Sequence, residues 1–306
     1  MIPAGGLGTR ILPASKAIPK EMITVVDRPI IQYAVEEIVR SGISDICIVL
    51  SPGKQSLLDH FKPNAALEAA LEAKGKTDLM TTVTALNELA NISSVTQEEP
   101  LGLGHAVWLA RDFVGDEPFV VALPDELFDP AGSLLEDLIA TYLEHTQNVV
   151  AVLEVPHTSI SLYGAIGTKD PNAALIKVES VIEKPDPSSA PSDLALVGRY
   201  VLDPSVFEIL AGLGRGSGDE IQLTDVLGVL AGQGRLLARR YSGRRWDVGS
   251  QAGYLQAVVD LASEHPVAGP AFRAHLDRRR GGAGGVAAPL GKDPRAPEAA
   301  NPPNPR

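Results

Sequence analysis

Short, unbroken apolar runs alternate along the chain with stretches in which apolar residues recur every three or four positions. ICIVL (46–50), FVVAL (119–123) and VVAVLEV (149–155) are rich in β-branched residues and bounded by turn formers, the pattern of strands buried on both faces. Between them, IIQYAVEEIVRSG sets Ile31, Ala34, Val35, Ile38 and Val39 on one helical face and ends at Gly42, a C-terminal stop. SLLEDLIATYLEH (133–145) repeats the arrangement with Leu134, Leu135, Leu138, Ile139 and Tyr142. Continuous apolar strands separated by amphipathic helices predict an α/β core, a mostly parallel sheet covered by helices on both faces.

After residue 155 the texture changes. GAIGT, LIKVESVIEKP and LALVGRYVL are shorter, more alternating strands with little helix between them, and helical patterns return only at IQLTDVLGVLAGQG and AGYLQAVVDLAS. The expectation is one α/β core with a smaller mixed β region and a closing C-terminal helix. No internal repeat of fixed period is visible.

Composition narrows the functions. The chain has 306 residues, 44% hydrophobic and 21% charged, with formal net charge -11, which allows a sizeable core. That acidity argues against a nucleic-acid surface, which needs a basic stripe. No apolar run is long enough to span a membrane, and the first residues lack the basic and apolar regions of a signal peptide. Cys47, the single cysteine, lies within ICIVL. It is expected to be a buried strand residue in a reducing, cytoplasmic setting. Beyond residue 263 the chain becomes polar, and from Gly281 it is rich in glycine and proline. Residues 264–306 are therefore expected to be a disordered tail.

Against this acidic background, GGLGTRILPASKAIPKEM (5–22) gathers glycines, Arg10, Lys16 and Lys20. Gly5, Gly6 and Gly8 allow backbone N–H groups to converge on an anion. Arg10 adds a fork that matches phosphate oxygens, and Pro13 and Pro19 predict an extended course through the two lysines. Taken alone, the loop fits an ordinary turn as well as a phosphate cradle. Two carboxylates raise the second possibility: Asp125, just beyond the FVVAL strand, and Asp247, in RRWDVGS ahead of a helix. The ends of parallel strands are where such sheets place ligands, and two carboxylates suit Mg²⁺ shared with substrate phosphates. Asp247 suits a helix cap equally well.

The stretch AGGLGTRILPASKAIPKEM resembles the signature of the sugar-1-phosphate nucleotidylyltransferases. QEEPLGLGHAV (97–107), LPDEL (123–127), IEKP (182–185), APSDLALVGRYVL (190–202), EIQLTD (220–225) and WDVG (246–249) extend the likeness, in order, to about Ala262. Within that family the motifs are most similar to the bacterial branch that uses UTP and glucose 1-phosphate. The resemblance implies a Rossmann-like nucleotidyltransferase domain of the GT-A kind over residues 1–263, with a nucleotide-binding core to about 155 and a sugar- and metal-binding part beyond it. The implied reaction gives UDP-glucose and pyrophosphate by in-line attack at the α-phosphorus with Mg²⁺, and the implied assembly is a homodimer or homotetramer. Ala4, Gly5, Gly6 and Gly8 would lie against the nucleotide, with Gln97 and Gly102 at the uracil edge. Arg10 would hold the pyrophosphate and Lys20 the transferred phosphate. Asp125 and Asp247 would hold the metal. Glu183 would accept bonds from sugar hydroxyls, Lys184 would grip the sugar phosphate, and Gly164 and Gly198 would lie near the sugar. His105 is expected to support its loop and the start of a helix, since this chemistry needs positioning and charge neutralisation rather than a base.

Three departures stand beside the likeness. The family carries several more residues before the first apolar pair, so a shortened first strand is expected here. Thr96 stands where arginine is common, and Ser15 where threonine is. The alternatives are a thymidylyltransferase using dTTP and a non-catalytic paralogue that binds a nucleotide sugar.

Overall fold

The computed structural model describes residues 1–280. By internal packing the chain divides into residues 1–257 and a C-terminal unit that begins at Val258. In the first unit, the strand Ile2–Ala4 pairs in parallel with Asp45–Leu50, which pairs in parallel with Asn91–Thr96. On its other side, the Met1 backbone donates to Val120 O at 2.5 Å and accepts from Ala122 N at 3.1 Å. These two bonds stitch the parallel strands to Phe119–Ala122 and, through it, to a mixed sheet of seven strands. Leu194–Leu202, buried throughout, forms the seam: it runs antiparallel to Phe119–Ala122, Asn148–Glu154 and Gly164–Gly167. Parallel pairing thus prevails where helices alternate with strands, and antiparallel pairing follows in the later β region.

Both faces of the sheet are buried, as the continuous apolar strands predict. Along Asp45–Leu50, Ile46, Ile48 and Leu50 enter one core cluster while Cys47 and Val49 enter the other. Val149 and Ala151 alternate with Val150 and Val152 in the same way. The helices Ile30–Arg40 and Leu134–His145 cover the first face through Ile31, Ala34, Val35, Leu135 and Leu138. Leu103–Leu109, Ser205–Gly212 and Leu223–Gly232 cover the second. Each fully buried aliphatic side chain contributes about 1.5–3 kcal/mol, which places most of the fold's stabilisation in these two layers.

Several expectations need correction. Residues 269–280 are not a disordered tail: Gly269–Arg280 is a helix in the C-terminal unit. The remainder of the expected tail, 281–306, lies outside the described residues. LIKVESVIEKP forms two strands, Leu175–Lys177 and Ser180–Glu183, with different partners. The segment through Lys16 and Lys20 is not extended. It folds as 3-10 turns at Thr9–Ile11, Ala14–Lys16 and Lys20–Met22, because a proline fixes φ without excluding a short turn that begins after it. Helices at Ala65–Ala73 and Thr77–Asn87, which bury no residue fully, and the strand Asn91–Thr96 had no clear sequence signal.

Candidate active site

The parallel strands Ile2–Ala4 and Phe119–Ala122 end side by side, so the glycine loop and Asp125 emerge together. A cavity of about 290 Å³ opens there, lined by Gly5, Gly6, Lys20, Gln97, Gly102 and Asp125. All six belong to sequence motifs far apart in the chain, and the sheet brings them together. Gly8 shapes the loop from outside that lining. Its φ is 68°, and a Cβ would approach the side chains of Lys20 and Ser15 at 3.1 and 3.2 Å. The Ser15 hydroxyl donates to Gly8 O at 2.7 Å, so serine supplies the loop bond at this position.

Asp125 sits between cations. Its Oδ2 lies 2.5 Å from Lys20 Nζ and 3.8 Å from Arg10 Nη2, while Arg10 Nη1 lies 3.5 Å from Asp247 Oδ2. Burial opposes the ionised form of Asp125, but the Lys20 ammonium, its hydrogen bond and the Arg10 guanidinium outweigh that effect and hold the carboxyl below its ordinary value. A short antiparallel pair of strands, distant in sequence, explains why Asp247 meets Asp125. Glu126–Phe128 pairs antiparallel with Arg245–Asp247, in the register Glu126↔Asp247. At Gly249 a Cβ would meet Arg10 Nη2 at 2.7 Å, Asp125 Oδ2 at 2.9 Å and Asp247 Oδ1 at 3.1 Å. Both carboxylates therefore converge on one point that only glycine leaves open. Among the described residues, no set of three or more His, Cys, Asp or Glu side chains gathers into a metal cage. Two converging carboxylates without a closed cage fit a hard cation that keeps positions for phosphate and water.

A second cavity of about 150 Å³ adjoins the first, and Leu103 and Leu123 line both. Gly164 and Glu183 face each other here as partners in an antiparallel ladder. A Cβ on Gly164 would meet Thr224 Cγ2 at 2.9 Å and Leu196 Cδ1 at 3.0 Å. Lys184 follows Glu183 just outside this lining, with φ 43°, its backbone N–H bonded to Tyr163 O at 3.0 Å and its Nζ 3.2 Å from Glu183 Oε1. Gly198 is not brought into either lining. It lets the central strand close on Leu123, whose Cβ would lie 2.6 Å from a Cβ at that position. Its part is to seat the leucine that separates the two lobes.

Sequence motifs missed the groups that hold this arrangement. Lys54 Nζ donates to Ala4 O at 2.6 Å, to Gly6 O at 2.7 Å and to both oxygens of Glu21 at 3.0 and 2.9 Å. Glu21 is fully buried. Burial pushes the Glu21 carboxyl up and the Lys54 ammonium down, each partly restored by the other's charge. The pair ties the carbonyls on either side of Gly5 to one buried cation, and so fixes the path of the loop. The available signal was a lysine just past the ICIVL strand. Behind the second lobe, Arg245 Nε donates to Glu126 Oε2 at 2.7 Å and its Nη1 to the Tyr163 hydroxyl at 3.3 Å.

This cleft, at the carboxyl ends of parallel strands, has the form of a nucleotide-transfer site. The chain belongs to the nucleotidyl transferase family, whose pattern it matches over residues 1–264. It is 45% identical over 271 residues to the UTP–glucose-1-phosphate uridylyltransferase of Streptococcus pneumoniae serotype 4, covering 87% of this chain and 90% of that one. Among solved structures, a UTP-bound UGPase from Acinetobacter baumannii superposes with a TM-score of 0.83 at 39% identity, covering 90% of this chain and 96% of that one. A UDP-glucose pyrophosphorylase complexed with UDP-glucose gives a TM-score of 0.78 at 36% identity, covering 86% and 98%.

Proposed function

We propose that this chain transfers a uridylyl group from UTP to α-D-glucose 1-phosphate, releasing pyrophosphate and forming UDP-glucose. The observation that carries the proposal is the pair of adjoining lobes, one walled by the glycine loop and the other by Gly164 and Glu183, with Lys20 and Asp125 within the first. The relatives named for UTP and glucose 1-phosphate support this reading over dTTP, and the assembled charges support catalysis over simple binding.

An anionic oxygen of the sugar phosphate attacks the α-phosphorus in line, a P–O bond forms, and the bond from that phosphorus to the pyrophosphate oxygen breaks. No proton has to be removed from the nucleophile. Ala4, Gly5 and Gly6 shape the wall against the nucleotide, with Gln97 and Gly102 at the base. Lys20 neutralises the transferred phosphate and Arg10 the departing pyrophosphate. Lys184 draws in the sugar phosphate while Glu183 accepts from sugar hydroxyls. Asp125 and Asp247 would hold Mg²⁺, which supplies charge neutralisation and a template for the phosphates. For that, the Arg10 and Lys20 contacts to these carboxylates must yield to the substrate's phosphates. We extend the proposal to a catalytic unit of residues 1–263, a cytoplasmic setting and a homodimer or homotetramer. The buried, lone Cys47 thiol is consistent with that setting, and no described helix is long and apolar enough to cross a membrane.

The test is pyrophosphate release with UTP, dTTP, CTP and ATP, each with glucose 1-phosphate and Mg²⁺. Preferred turnover of UTP is expected. Absence of UTP turnover under conditions where the protein is folded would overturn the proposal.

A further inference from the structure

Gln97 is almost wholly buried, and its amide could in principle face the first cavity with either nitrogen or oxygen. Two contacts decide which. Its Nε2 donates to Gly102 O at 3.1 Å, and a carbonyl oxygen can only accept. The same nitrogen lies 3.0 Å from His105 Nδ1. With one hydrogen committed to Gly102, the second points to the imidazole. Nδ1 must then be the unprotonated ring nitrogen, and His105 is the neutral tautomer carrying its hydrogen on Nε2. Burial of the ring also disfavours its protonated form, against the pull of Glu99. The amide oxygen is left on the opposite side, over Gly5, where a Cβ would overlap it. It is presented to the cavity as an acceptor.

We infer that His105 is a specificity-positioning residue, which locks the Gln97 amide so that its oxygen selects a nucleobase presenting a ring N–H. Uracil and thymine carry such a donor at N3, whereas cytosine carries a bare acceptor there. An amide free to rotate would suit either. Held by both Gly102 and His105, it repels the cytosine edge and accepts from the imide. His105 touches no substrate in this scheme and acts only through Gln97. The inference rests on the uridylyl-transfer reading above and concerns how that site chooses its base.

The experiment compares kcat/KM for UTP, dTTP and CTP in the wild type, His105→Leu and His105→Asn, with thermal melting to establish folding. Leucine removes the acceptor for Gln97, whereas asparagine can replace it with its amide oxygen. In His105→Leu, kcat/KM for UTP and dTTP should fall together by roughly three- to tenfold, the range of one neutral hydrogen bond. The loss should appear mainly in KM for the nucleotide. The preference for UTP over CTP should narrow by the same factor, the UTP-to-dTTP ratio should not move, and KM for glucose 1-phosphate should stay constant. His105→Asn should restore most of the UTP preference. An unchanged UTP-to-CTP ratio in a folded His105→Leu, or an asparagine variant no better than leucine, would overturn the inference. A wild type that turns over no UTP would instead sink the reading of the reaction, whatever the variants do.

Discussion

In the glycine-loop lobe the Lys54 side chain is 10% exposed and Glu21 is fully buried, whereas just outside the other lobe the Lys184 side chain is 60% exposed. The first lobe is therefore built before any ligand arrives. Lys20 and Lys54 are enclosed and hydrogen-bonded and the loop carbonyls are tied to Lys54, while Arg10 stays exposed at the loop's outer side. The second lobe has a firm floor, where Gly164 and Glu183 share a strand ladder, but its lysine projects into solvent from a backbone at positive φ. That conformation costs a non-glycine residue on the order of 1–2 kcal/mol. Enclosed, hydrogen-bonded groups lose little entropy when a ligand binds, whereas an exposed side chain such as Lys184 must be ordered to meet one. The difference teaches that lysines near the two cavities are held differently: Lys54 is bound into the scaffold, whereas Lys184 is left exposed, as the proposed contact with a substrate phosphate requires.

The largest way to break this contrast is Lys54→Met. Removing one partner leaves Glu21 buried and unpaired, which costs about 3–5 kcal/mol. Urea unfolding should report that loss, and Lys54→Met with Glu21→Leu should regain most of it. Lys184→Ala should leave the unfolding midpoint unchanged. A Lys54→Met protein as stable as wild type would show that the pair does not hold the loop.

Next come the two carboxylates. Asp125→Ala and Asp247→Ala should each lower kcat by at least about a hundredfold, on the scale of losing a dedicated charge-stabilising group in the transition state. Near-UV circular dichroism should remain native. Normal turnover of either variant at saturating Mg²⁺ would remove that residue from the proposed metal site.

The two exposed cations sharpen the division between lobes. Arg10→Ala should weaken use of UTP and of pyrophosphate in the reverse reaction, and Lys184→Ala that of glucose 1-phosphate. Each charge-assisted contact is worth about 1.5–3 kcal/mol, roughly ten- to a hundredfold. Steady-state kinetics in both directions, varying each substrate in turn, would detect it. If both variants affected both substrates equally, the lobes would not be separate binding regions.

The smallest effect lies at the outer end of the two-stranded ribbon that brings Asp247 beside Asp125. Arg244 Nε donates to Asp129 Oδ2 at 2.9 Å, and that hydrogen bond holds the Asp129 carboxyl below its ordinary value. A depressed folded-state pKa contributes stability that is fully present above the unfolded value, about 4, and is lost as pH falls through the folded value. Asp129→Asn should therefore lose under about 1 kcal/mol at pH 7 and differ less from wild type in acid. Urea melts at pH 7 and pH 3 measure this. A gap that widens in acid would contradict the assignment.

Elements that carry their own periodicity were legible from the chain. ICIVL, FVVAL and the helix around Ile31–Ile38 read correctly because burial on one face or two imposes a repeat on the residues themselves. The glycine loop and Asp125 stood out by residue type, and Gln97, Gly102, Gly164 and Glu183 only by family resemblance; all of these lie in the linings of the two cavities, except Gly8, which shapes the loop from outside. The weak helices Ala65–Ala73 and Thr77–Asn87 escaped, having no fully buried face to write such a pattern. Gly198, expected near the sugar, lies outside both linings and packs against Leu123, which lines both cavities.

By itself the sequence determined the alternation of strands and helices, the two-sided burial of the core and the chemical kinds of residue at the strand ends. Only the tertiary structure decided that Lys54, thirty-three residues beyond Glu21, would share its charge and bind the loop carbonyls. It likewise decided that His105 would lie within hydrogen-bond distance of the Gln97 amide, and that pairing of two sequence-distant strands would set Asp247 beside Asp125. Periodicity is a property of neighbours along the chain, whereas a buried charge is stable only when a distant partner replaces the water it has lost. That partner is chosen by how the sheet folds, and no local pattern records it.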